Sequence, residues 1–552
     1  MHASYTGNHS GSYTTNRAGA QASQPKAPAF DLALASPQQQ AVFHWFRTSR
    51  VPAFAAYEAQ ALVSGEAAEV EATNLVVRAR AGCGKTTTIV AGVELAPEQA
   101  ILLAAFNKSI ASELQGRITN PRVEAKTLHA LGFKFCIYNW KKINLDDMGQ
   151  RATTLAIAAT TAVKATLSMR AARNNPVPEQ AIKLVANLHS KGREIQPFAT
   201  SGHDLVDLAV AFNLLPDEQL TAAGWDETAI CHAAYRAMVL ATKRPANNLI
   251  DFADMIYLPL ANNWVRAWYD LVVVDEAQDM TEAQLELARR CCKRGGRICV
   301  VGDDRQAIYG FRGADSAALD NLKRALKAAE LGLTVTRRCP QRIVTLAQAL
   351  VPDFEAAPEA PEGQILRCDA DSMIAGASEG DFILSRTNAP LVKICLALLK
   401  RGVRARVKGR DIGRGIQALV RKLAPASLAA LEGLLTEWAS HETERALAKL
   451  PEGPRETRID FVNDQAAVIL ALAEGADSLD ALDRRIADLF TDEGEARVVM
   501  CSSVHKAKGL EAKRVYRLVG TFRDGSTEEQ NITYVAITRV QETLVEVSGY
   551  EK

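Results

Sequence analysis

Short, unbroken apolar runs occur in two separate parts of the chain. In the first part they lie at residues 75–77 and 272–274 and are rich in valine. Valine-rich runs of this kind are typical of parallel strands that are buried on both faces of a sheet. In the second part, apolar runs predict further strands at 381–384, 404–407, 496–500 and 514–518.

Two long stretches between these runs carry a helical pattern instead. Residues 135–245 are rich in alanine and leucine with helical periodicity and few strand signals. In residues 413–494 a stripe recurs at helical spacing, which we interpret as core packing rather than a cofactor site: Leu428, Leu431, Leu434, Leu435 and Trp438. The pattern predicts an α/β fold of two lobes with parallel sheets, each lobe interrupted by a mainly helical insertion.

Directly after the first apolar run, residues 79–86 have the spacing of a phosphate-binding loop. Glycines in such a loop let the backbone approach the phosphates, and its N–H groups and the following helix N-terminus attract the anion. Lys85 is expected to contact the β- and γ-phosphates, and the Thr86 hydroxyl to bind Mg²⁺. The residues predicted to bind the nucleotide here are Ala81, Gly82, Cys83, Gly84, Lys85, Thr86 and Thr87.

Two positions in this loop allow more than one interpretation. Ala79 stands where glycine is common, but a methyl group is tolerated at that position. Cys83 is either a small residue that fills the loop or a reactive thiol near the nucleotide, and the first interpretation is favoured.

Asp275 and Glu276 follow the second valine run. A parallel strand would deliver both carboxylates to the edge of the sheet where ligands bind in open α/β folds. We expect Asp275 to hold Mg²⁺ and Glu276 to activate the attacking water. The alternative is an acidic turn after a core strand, which the phosphate loop makes less attractive.

The composition limits which kinds of partner and which compartment the sequence favours. The chain has 552 residues, 48% of them hydrophobic, and a net charge of +1, so binding to a polyanion requires a local groove rather than a global basic field. No apolar stretch approaches the ~20 residues of a membrane span. The ten cysteines show no paired metal-binding spacing, which favours reduced thiols in a cytoplasmic protein. Residues 1–30 contain no Leu, Ile, Val, Asp or Glu and are predicted to be a disordered tail.

Beyond residue 31 most of the chain resembles the UvrD/Rep family of superfamily 1 DNA helicases. The resemblance rests on segments in the family's order, at 34–42, 104–108, 127–129, 250–255, 301–314, 336–340, 384–388, 503–511 and 528–539. It implies two RecA-like P-loop NTPase lobes with ATP and Mg²⁺ between them. The expected domains are a first motor domain (31–134 and 246–335), a helical insertion (135–245), a second motor domain (336–412 and 495–552) and a short helical insertion (413–494).

The resemblance assigns further nucleotide contacts. Gln38 would read the adenine edge, because an amide both donates and accepts hydrogen bonds. Arg337 stands where many members carry a tyrosine against the base, and Glu511 is expected at the ribose.

Three side chains are expected at the γ-phosphate: Gln306 as a sensor, and Arg338 and Arg539 as arginine fingers from the second lobe. The alternative for the arginines is surface salt bridges, which contribute little to stability.

The same resemblance predicts a path for single-stranded DNA. Aromatic side chains along such a path stack on bases for roughly 1–3 kcal/mol each, whatever the sequence. The predicted contacts are Phe106, Asn107, Lys108, Thr127, His129, Tyr309, Phe311, Arg312, Arg386, His505 and Lys506.

Together these features imply an ATP-dependent motor on single-stranded DNA or single/double-strand junctions, moving 3′-to-5′, in a bacterial or phage-infected cell and away from membranes. The second insertion is short, so full unwinding could require a protein partner. Three alternatives remain open at this point: a translocase or end sensor that does not unwind, a protein that uses ATP only to clamp nucleic acid, and an RNA-directed motor.

Overall fold

A computed structural model of the chain describes residues 30–52, 69–146, 150–169, 178–308, 318–449, 452–491 and 498–550. The predicted disordered tail lies outside these residues except for Phe30, as do Tyr309, Phe311 and Arg312. Within the described residues, none of the helices has the length and apolar character needed to cross a membrane.

The first lobe is built on a six-stranded sheet in which every neighbouring pair is parallel. From one edge to the other its strands are β10 (Ala329–Leu333), β3 (Leu75–Ala79), β9 (Cys292–Gly302), β8 (Tyr269–Val274), β4 (Ile101–Ala105) and β5 (Val123–Thr127). The two valine runs thus form strands β3 and β8, as their pattern predicts, with β9 between them.

Helices cover both faces of this sheet because alternate strand residues point to opposite sides. In β4, Ile101 and Leu103 belong to one hydrophobic cluster, and Leu102 and Ala104 belong to the other. On the first face lie α1 (Pro37–Thr48), α2 (Lys85–Leu95) and α3 (Lys108–Arg117). On the second face lie α4 (Leu128–Trp140), α10 (Asp254–Ala261), α11 (Glu282–Cys291) and α12 (Ala318–Leu326).

The stretch between α4 and α10 has its own helical core. It contains α5 (Gln150–Met169), α6 (Glu179–Ile195), α7 (Val206–Ala211), α8 (Glu218–Ala222) and α9 (Glu227–Ala241). Short parallel strands, β6 (Asn144–Leu145) and β7 (Leu249–Ile250), pair where the chain enters and leaves it. Helix α4 runs through position 134, where the sequence predicts a domain junction, so the insertion is joined to the motor lobe by a continuous helix.

Buried ion pairs reinforce this junction. Arg193 and Arg151, from the insertion, both bind the carboxylate of Asp254, at 2.6 Å and 2.7 Å. All three side chains are nearly inaccessible to solvent. Removing one partner of such a buried pair leaves an uncompensated charge, so the segment that begins α10 is held firmly against the insertion.

The second lobe contains a seven-stranded sheet, again with all neighbours parallel. Its strands, in spatial order, are β13 (Gln364–Asp369), β19 (Val540–Ser548), β18 (Ala512–Leu518), β14 (Phe382–Ser385), β17 (Val499–Ser503), β15 (Ala405–Lys408) and β16 (Phe490–Thr491). Around it lie α13 (Gln341–Gln348), α14 (Ala370–Gly376), α15 (Ala389–Lys400), α20 (Val504–Ala507) and α21 (Thr527–Ile537). The predicted fold class, two parallel α/β lobes flanked by helices, is confirmed.

The helices of the second insertion share the hydrophobic core of this lobe. They are α16 (Arg410–Leu423), α17 (Leu428–Lys449), α18 (Glu452–Ala473) and α19 (Leu479–Leu489). From the leucine stripe, Leu431 and Leu435 are buried in the same cluster as Val407 and Ile383 of the sheet, which confirms the core-packing interpretation. Residues 490–491, inside the predicted insertion, form the edge strand β16 of the motor sheet.

Two more short strand pairings and several 3₁₀ helices complete the described part of the fold. The strands β1 (Arg50–Pro52) and β2 (Glu69–Glu71) pair antiparallel, and β11 (Val335–Thr336) pairs parallel with β12 (Glu355–Ala356). In the residues that the structure describes, 3₁₀ helices lie at Leu32–Leu34, His203–Leu205, Ala277–Asp279, Asp304–Gln306 and Val519–Thr521.

Candidate nucleotide site between two lobes

The phosphate loop connects β3 to the N-terminus of α2 at the carboxyl edge of the first sheet. Gly82 and Gly84 have φ values of +69° and +76°, a region that favours glycine. A Cβ at Gly82 would lie 2.6 Å from both the Cβ of Arg338 and the Oγ1 of Thr336. Glycine is therefore required here for two reasons: its backbone conformation and the close approach of the second lobe.

A polar contact from α1 supports this loop, and sequence reasoning missed it. The Nε2 of Gln39 donates to Thr88 Oγ1 at 2.9 Å, and that hydroxyl donates to the Gly84 carbonyl at 2.9 Å. Gln39 is 4% exposed. From the glutamine run at 38–40 only Gln38, the expected adenine contact, was predicted. Nothing in that run of identical residues shows that Gln39 faces inward.

Cys83 behaves as a filler of the loop. Its thiol donates to the Arg80 carbonyl at 2.8 Å and is buried. Burial, reinforced by the charge of Asp303, raises the pKa of the thiol to about 12. Since the thiolate is the reactive form of cysteine, this side chain is unreactive at neutral pH.

The two predicted acids stand at the end of β8. Asp275 is 2% exposed, and its carboxylate accepts a hydrogen bond from the backbone N–H of Glu276 at 2.9 Å. Glu276 itself has φ of +51°, a left-handed conformation that costs a non-glycine residue roughly 1–3 kcal/mol. Strain of this kind persists only where surrounding contacts enforce it, and it aims the Glu276 carboxylate at the phosphate loop.

Lys85 links the loop to both acids. Its Nζ lies 2.5 Å from the Glu276 carboxylate and 4.0 Å from that of Asp275. Burial alone would raise the pKa of Glu276, but Lys85 and Lys508 hold it below its usual range. The pKa of Asp275 is raised, chiefly by burial, against the opposing effect of Lys85.

The second lobe delivers the two predicted arginines to this cleft. The side chain of Arg539 is 1% exposed and donates to Gln306 Oε1 at 3.4 Å. Burial and the neighbouring charge of Arg338 lower its pKa to about 10, so it stays charged at neutral pH. Arg338 is ion-paired with Glu511 and donates to the Thr538 carbonyl at 3.4 Å. Glu511, the predicted ribose contact, therefore lies beside a predicted arginine finger.

The predicted base contacts lie together at one end of the cleft. The amide of Gln38 donates to Thr334 Oγ1 at 2.8 Å and accepts from the Thr334 backbone N–H at 2.9 Å. Arg337 donates from its backbone to the Gly82 carbonyl and from its guanidinium to the Leu34 carbonyl, at 3.0 Å and 3.2 Å. Thr334, which carries no motif signal, was not predicted.

Further contacts between the lobes come from residues that the sequence did not single out. Lys508 binds the Asp279 carboxylate at 2.7 Å, and both side chains are nearly buried. Asn531 and Tyr534, on α21, bond to the first lobe as well. Lys508, Asn531 and Tyr534 lie inside the segments 503–511 and 528–539 that resemble the family, but such a resemblance does not say which side chains face the other lobe.

Five predicted nucleic-acid contacts lie at the ends of strands β4 and β5. Two of them have local structural roles, since Asn107 and Thr127 accept the capping hydrogen bonds of α3 and α4. Phe106 and Lys108 flank the first cap. His129 stacks on Phe252, with ring centroids 3.9 Å apart and 60% of Phe252 exposed. Burial lowers the pKa of His129 to about 4, so the pair is neutral at pH 7.

The predicted contacts of the second lobe are engaged within the protein. Arg386 pairs with Glu529 at 2.9 Å, and Lys506 pairs with Asp411 at 2.6 Å. His505 precedes Lys506 in the short helix α20. A nucleic-acid phosphate would therefore compete with a carboxylate for Arg386 and for Lys506.

These two parallel α/β lobes, with a phosphate loop and carboxylates on one and arginines from the other, have the architecture of two-lobed P-loop proteins. Residues 63–327 match the family described as UvrD/REP helicase N-terminal domain. In this part, which is just under half of its length, the chain is similar to the UvrD/REP helicases.

Individual relatives agree with this placement. The chain is 22% identical to F-box DNA helicase protein 1 of Schizosaccharomyces pombe over 85% of its own length and 55% of the relative's. It is 23% identical to F-box DNA helicase 1 of Gallus gallus, over 85% and 47%. A shorter match, 34% identical, joins it to ATP-dependent DNA helicase Rep of Salmonella typhimurium, over 22% and 18%. The chain thus spans about half the length of the two F-box relatives.

Proposed function

We propose that the protein is an ATP-dependent motor that moves on single-stranded DNA and separates strands. The observation that carries the proposal is the position of Arg338 and Arg539. Both come from the second lobe, yet one packs against the phosphate loop at Gly82 and the other contacts Gln306. A nucleotide between the lobes would bind their closed arrangement better than an open one, and hydrolysis would remove that preference.

The residues present fit ATP with Mg²⁺. The buried Asp275 carboxylate and the Thr86 hydroxyl are oxygen ligands of the kind that Mg²⁺ takes alongside substrate phosphates. Within the described residues, no group of three or more His, Cys, Asp or Glu side chains could hold a metal by itself. Because Mg²⁺ in such sites takes its other ligands from substrate phosphates and water, we expect the nucleotide to complete this one.

The ion pair between Lys85 and Glu276 suggests how the first lobe responds. The Nζ of Lys85 and the carboxylate of Glu276 are 2.5 Å apart, so each group restrains the other. A γ-phosphate competes for Lys85, which frees Glu276 to orient the attacking water. Gln306 is positioned to sense that phosphate, and Arg338 and Arg539 to neutralise its charge, an effect of ~10³–10⁵ in rate for an arginine finger.

DNA as the track is supported by the exposed aromatic face at His129 and Phe252 and by the relatives, whose names describe DNA helicases. Such stacking tolerates any base sequence, which suits a motor that must pass along a strand. The direction 3′-to-5′ is part of the proposal on family resemblance.

A translocase that does not unwind is the second candidate. It is favoured by the second insertion, whose helices share one core with the motor sheet instead of forming a separate body. Asp464 of α18 also accepts hydrogen bonds from the backbone N–H groups of Asn388 and Ala389, at 2.9 Å and 2.8 Å. An insertion fixed in this way is suited to transmitting force but less suited to moving independently at a duplex.

The deciding experiment is steady-state ATP hydrolysis with and without single-stranded DNA, on the wild type and Glu276→Gln. Stimulation by DNA that is lost in the variant supports the motor. Equal turnover in the variant contradicts the role of Glu276, and stronger stimulation by RNA of equal length contradicts the DNA track. Unwinding and single-strand translocation assays, run side by side, then separate helicase from translocase.

A further inference from the structure

The second lobe holds the backbone that follows β9. The side-chain amide of Asn531 donates to the carbonyls of Asp304 and Ala307, at 3.2 Å and 3.1 Å. Between them, Lys508 donates to the carbonyl of Gln306 at 2.7 Å. Three of the four carbonyls in residues 304–307 are therefore bound by side chains from the opposite lobe.

Asn531 is built into this interface. It is 2% exposed, and its two amide hydrogens match the two carbonyls. It sits on α21, which also carries Tyr534 against the phosphate loop. Because α21 ends next to Arg539, any movement of this helix relative to the first lobe moves an arginine finger and the hold on residues 304–307 together.

Residues 304–307 are connected both to the nucleotide site and to the part of the chain where the DNA strand is expected. They include Gln306, whose amide binds Asp303 at 2.7 Å and accepts from Arg539 across the cleft. They also lead directly into residues 309–317, where family resemblance puts the base-stacking side chains. The position of this segment therefore bears on both the nucleotide and the strand.

We propose that Asn531 is a positioning residue that couples closure of the lobes around the nucleotide to the segment 304–307. It touches neither nucleotide nor strand. Its amide makes the segment follow α21, so that a change in the cleft reaches the residues that lead to the strand. The link from residues 304–307 to the DNA, which is the strand end of this coupling, rests on the proposed function. The link from the nucleotide cleft to residues 304–307, which is its nucleotide end, does not.

Hydrogen exchange on the full chain tests the nucleotide end. Peptides covering 79–88 and 303–308 are followed with and without a non-hydrolysable ATP analogue in wild type, Asn531→Ala and Gln530→Ala. The control removes an exposed side chain one position earlier on α21. We expect the analogue to protect both peptides in wild type and control. In Asn531→Ala it should protect 79–88 as before, while the response of 303–308 falls at least about fivefold, the scale of a typical coupling between sites.

Turnover with and without single-stranded DNA tests the strand end. In Asn531→Ala we expect the KM for ATP and the DNA-free kcat to stay within about twofold of wild type, and stimulation by DNA to fall at least about fivefold. A merely structural defect would instead lower both rates together.

These outcomes distinguish a failure of the coupling role of Asn531 from a failure of the proposed motor function. If 303–308 responds normally in Asn531→Ala, or if protection is lost throughout the protein including 79–88, the coupling role is overturned. If wild type shows no stimulation by DNA, the proposed function fails, and the exchange experiment still decides whether Asn531 couples the nucleotide to residues 304–307.

Discussion

The hydroxyl of Tyr534 accepts a hydrogen bond of 3.1 Å from the backbone N–H of Ala81. Tyr534 belongs to the second lobe and is fully buried, with Phe354 packed edge-on against its ring at 5.6 Å. The phosphate loop is thus held at its start by the same helix that ends beside Arg539. The conformation of the nucleotide site in one lobe consequently depends on a side chain from the other.

Tyr534→Phe should weaken ATP binding without removing the ring from the core. The change leaves a buried N–H without its partner, at a cost of about 1 kcal/mol or more, equivalent to about fivefold in Kd. Titration with a fluorescent ATP analogue measures this. Tyr516→Phe, which removes a buried hydroxyl from strand β18 of the same lobe, is the matched control. Equal affinities in the two variants would show that the Tyr534 contact does not shape the loop.

Arg338→Ala and Arg337→Ala should affect different kinetic constants, although the residues are adjacent. Arg338 packs at Gly82, so its loss should lower kcat by ~10³-fold or more, the range for an arginine finger. Arg337 lies at the base end beside Leu34, so its loss should raise the KM for ATP and leave kcat nearly unchanged. Steady-state kinetics on both variants checks this, and a large fall in kcat for Arg337→Ala would contradict the assignment.

The helical insertion should lose stability in mild acid because of His189. This side chain is 1% exposed, and burial, with help from the charge of Arg193, lowers its pKa to about 4. An unfolded histidine has a pKa near 6.5, so the unfolded state binds more protons between these values and stability falls as the pH falls through this window. At pH 5 the loss relative to pH 7.5 is about 2 kcal/mol from this group.

Urea unfolding at pH 7.5 and pH 5.0, on wild type and His189→Asn, measures that contribution. The variant is expected to show the smaller change between the two pH values. His129, whose pKa is lowered in the same direction, adds a background that both proteins share. An identical pH dependence in both proteins would mean that His189 does not titrate as described.

The strands and the phosphate chemistry could be predicted from the sequence because they depend on local patterns. Residues 272–274 are valines since a strand covered on both faces accepts nothing polar, and Gly82 and Gly84 are required by backbone geometry. The contacts across the cleft could not be predicted in this way. Asn531 and Ala307 are far apart in the chain, and only the packing of two lobes brings that amide to that carbonyl. Likewise, the helical pattern of residues 413–494 predicts a separate helical insertion. In the structure, leucines of these helices are part of the hydrophobic core of the motor lobe.

Phe252→Ala should weaken binding of single-stranded DNA while sparing the nucleotide site. Phe252 is 60% exposed, stacks on His129, and lies between Asp251 and Asp254, both of which are ion-paired with Arg193. This support makes the ring a rigid surface, so a base stacking on it is worth roughly 1–3 kcal/mol, or about 5- to 150-fold in Kd. Fluorescence anisotropy with a labelled oligonucleotide at fixed salt measures the loss. The control is Phe461→Ala, which removes another half-exposed phenylalanine, on α18 of the second lobe. If both variants bind DNA as wild type does, while DNA still stimulates ATP turnover, the strand follows a path that avoids the His129–Phe252 face.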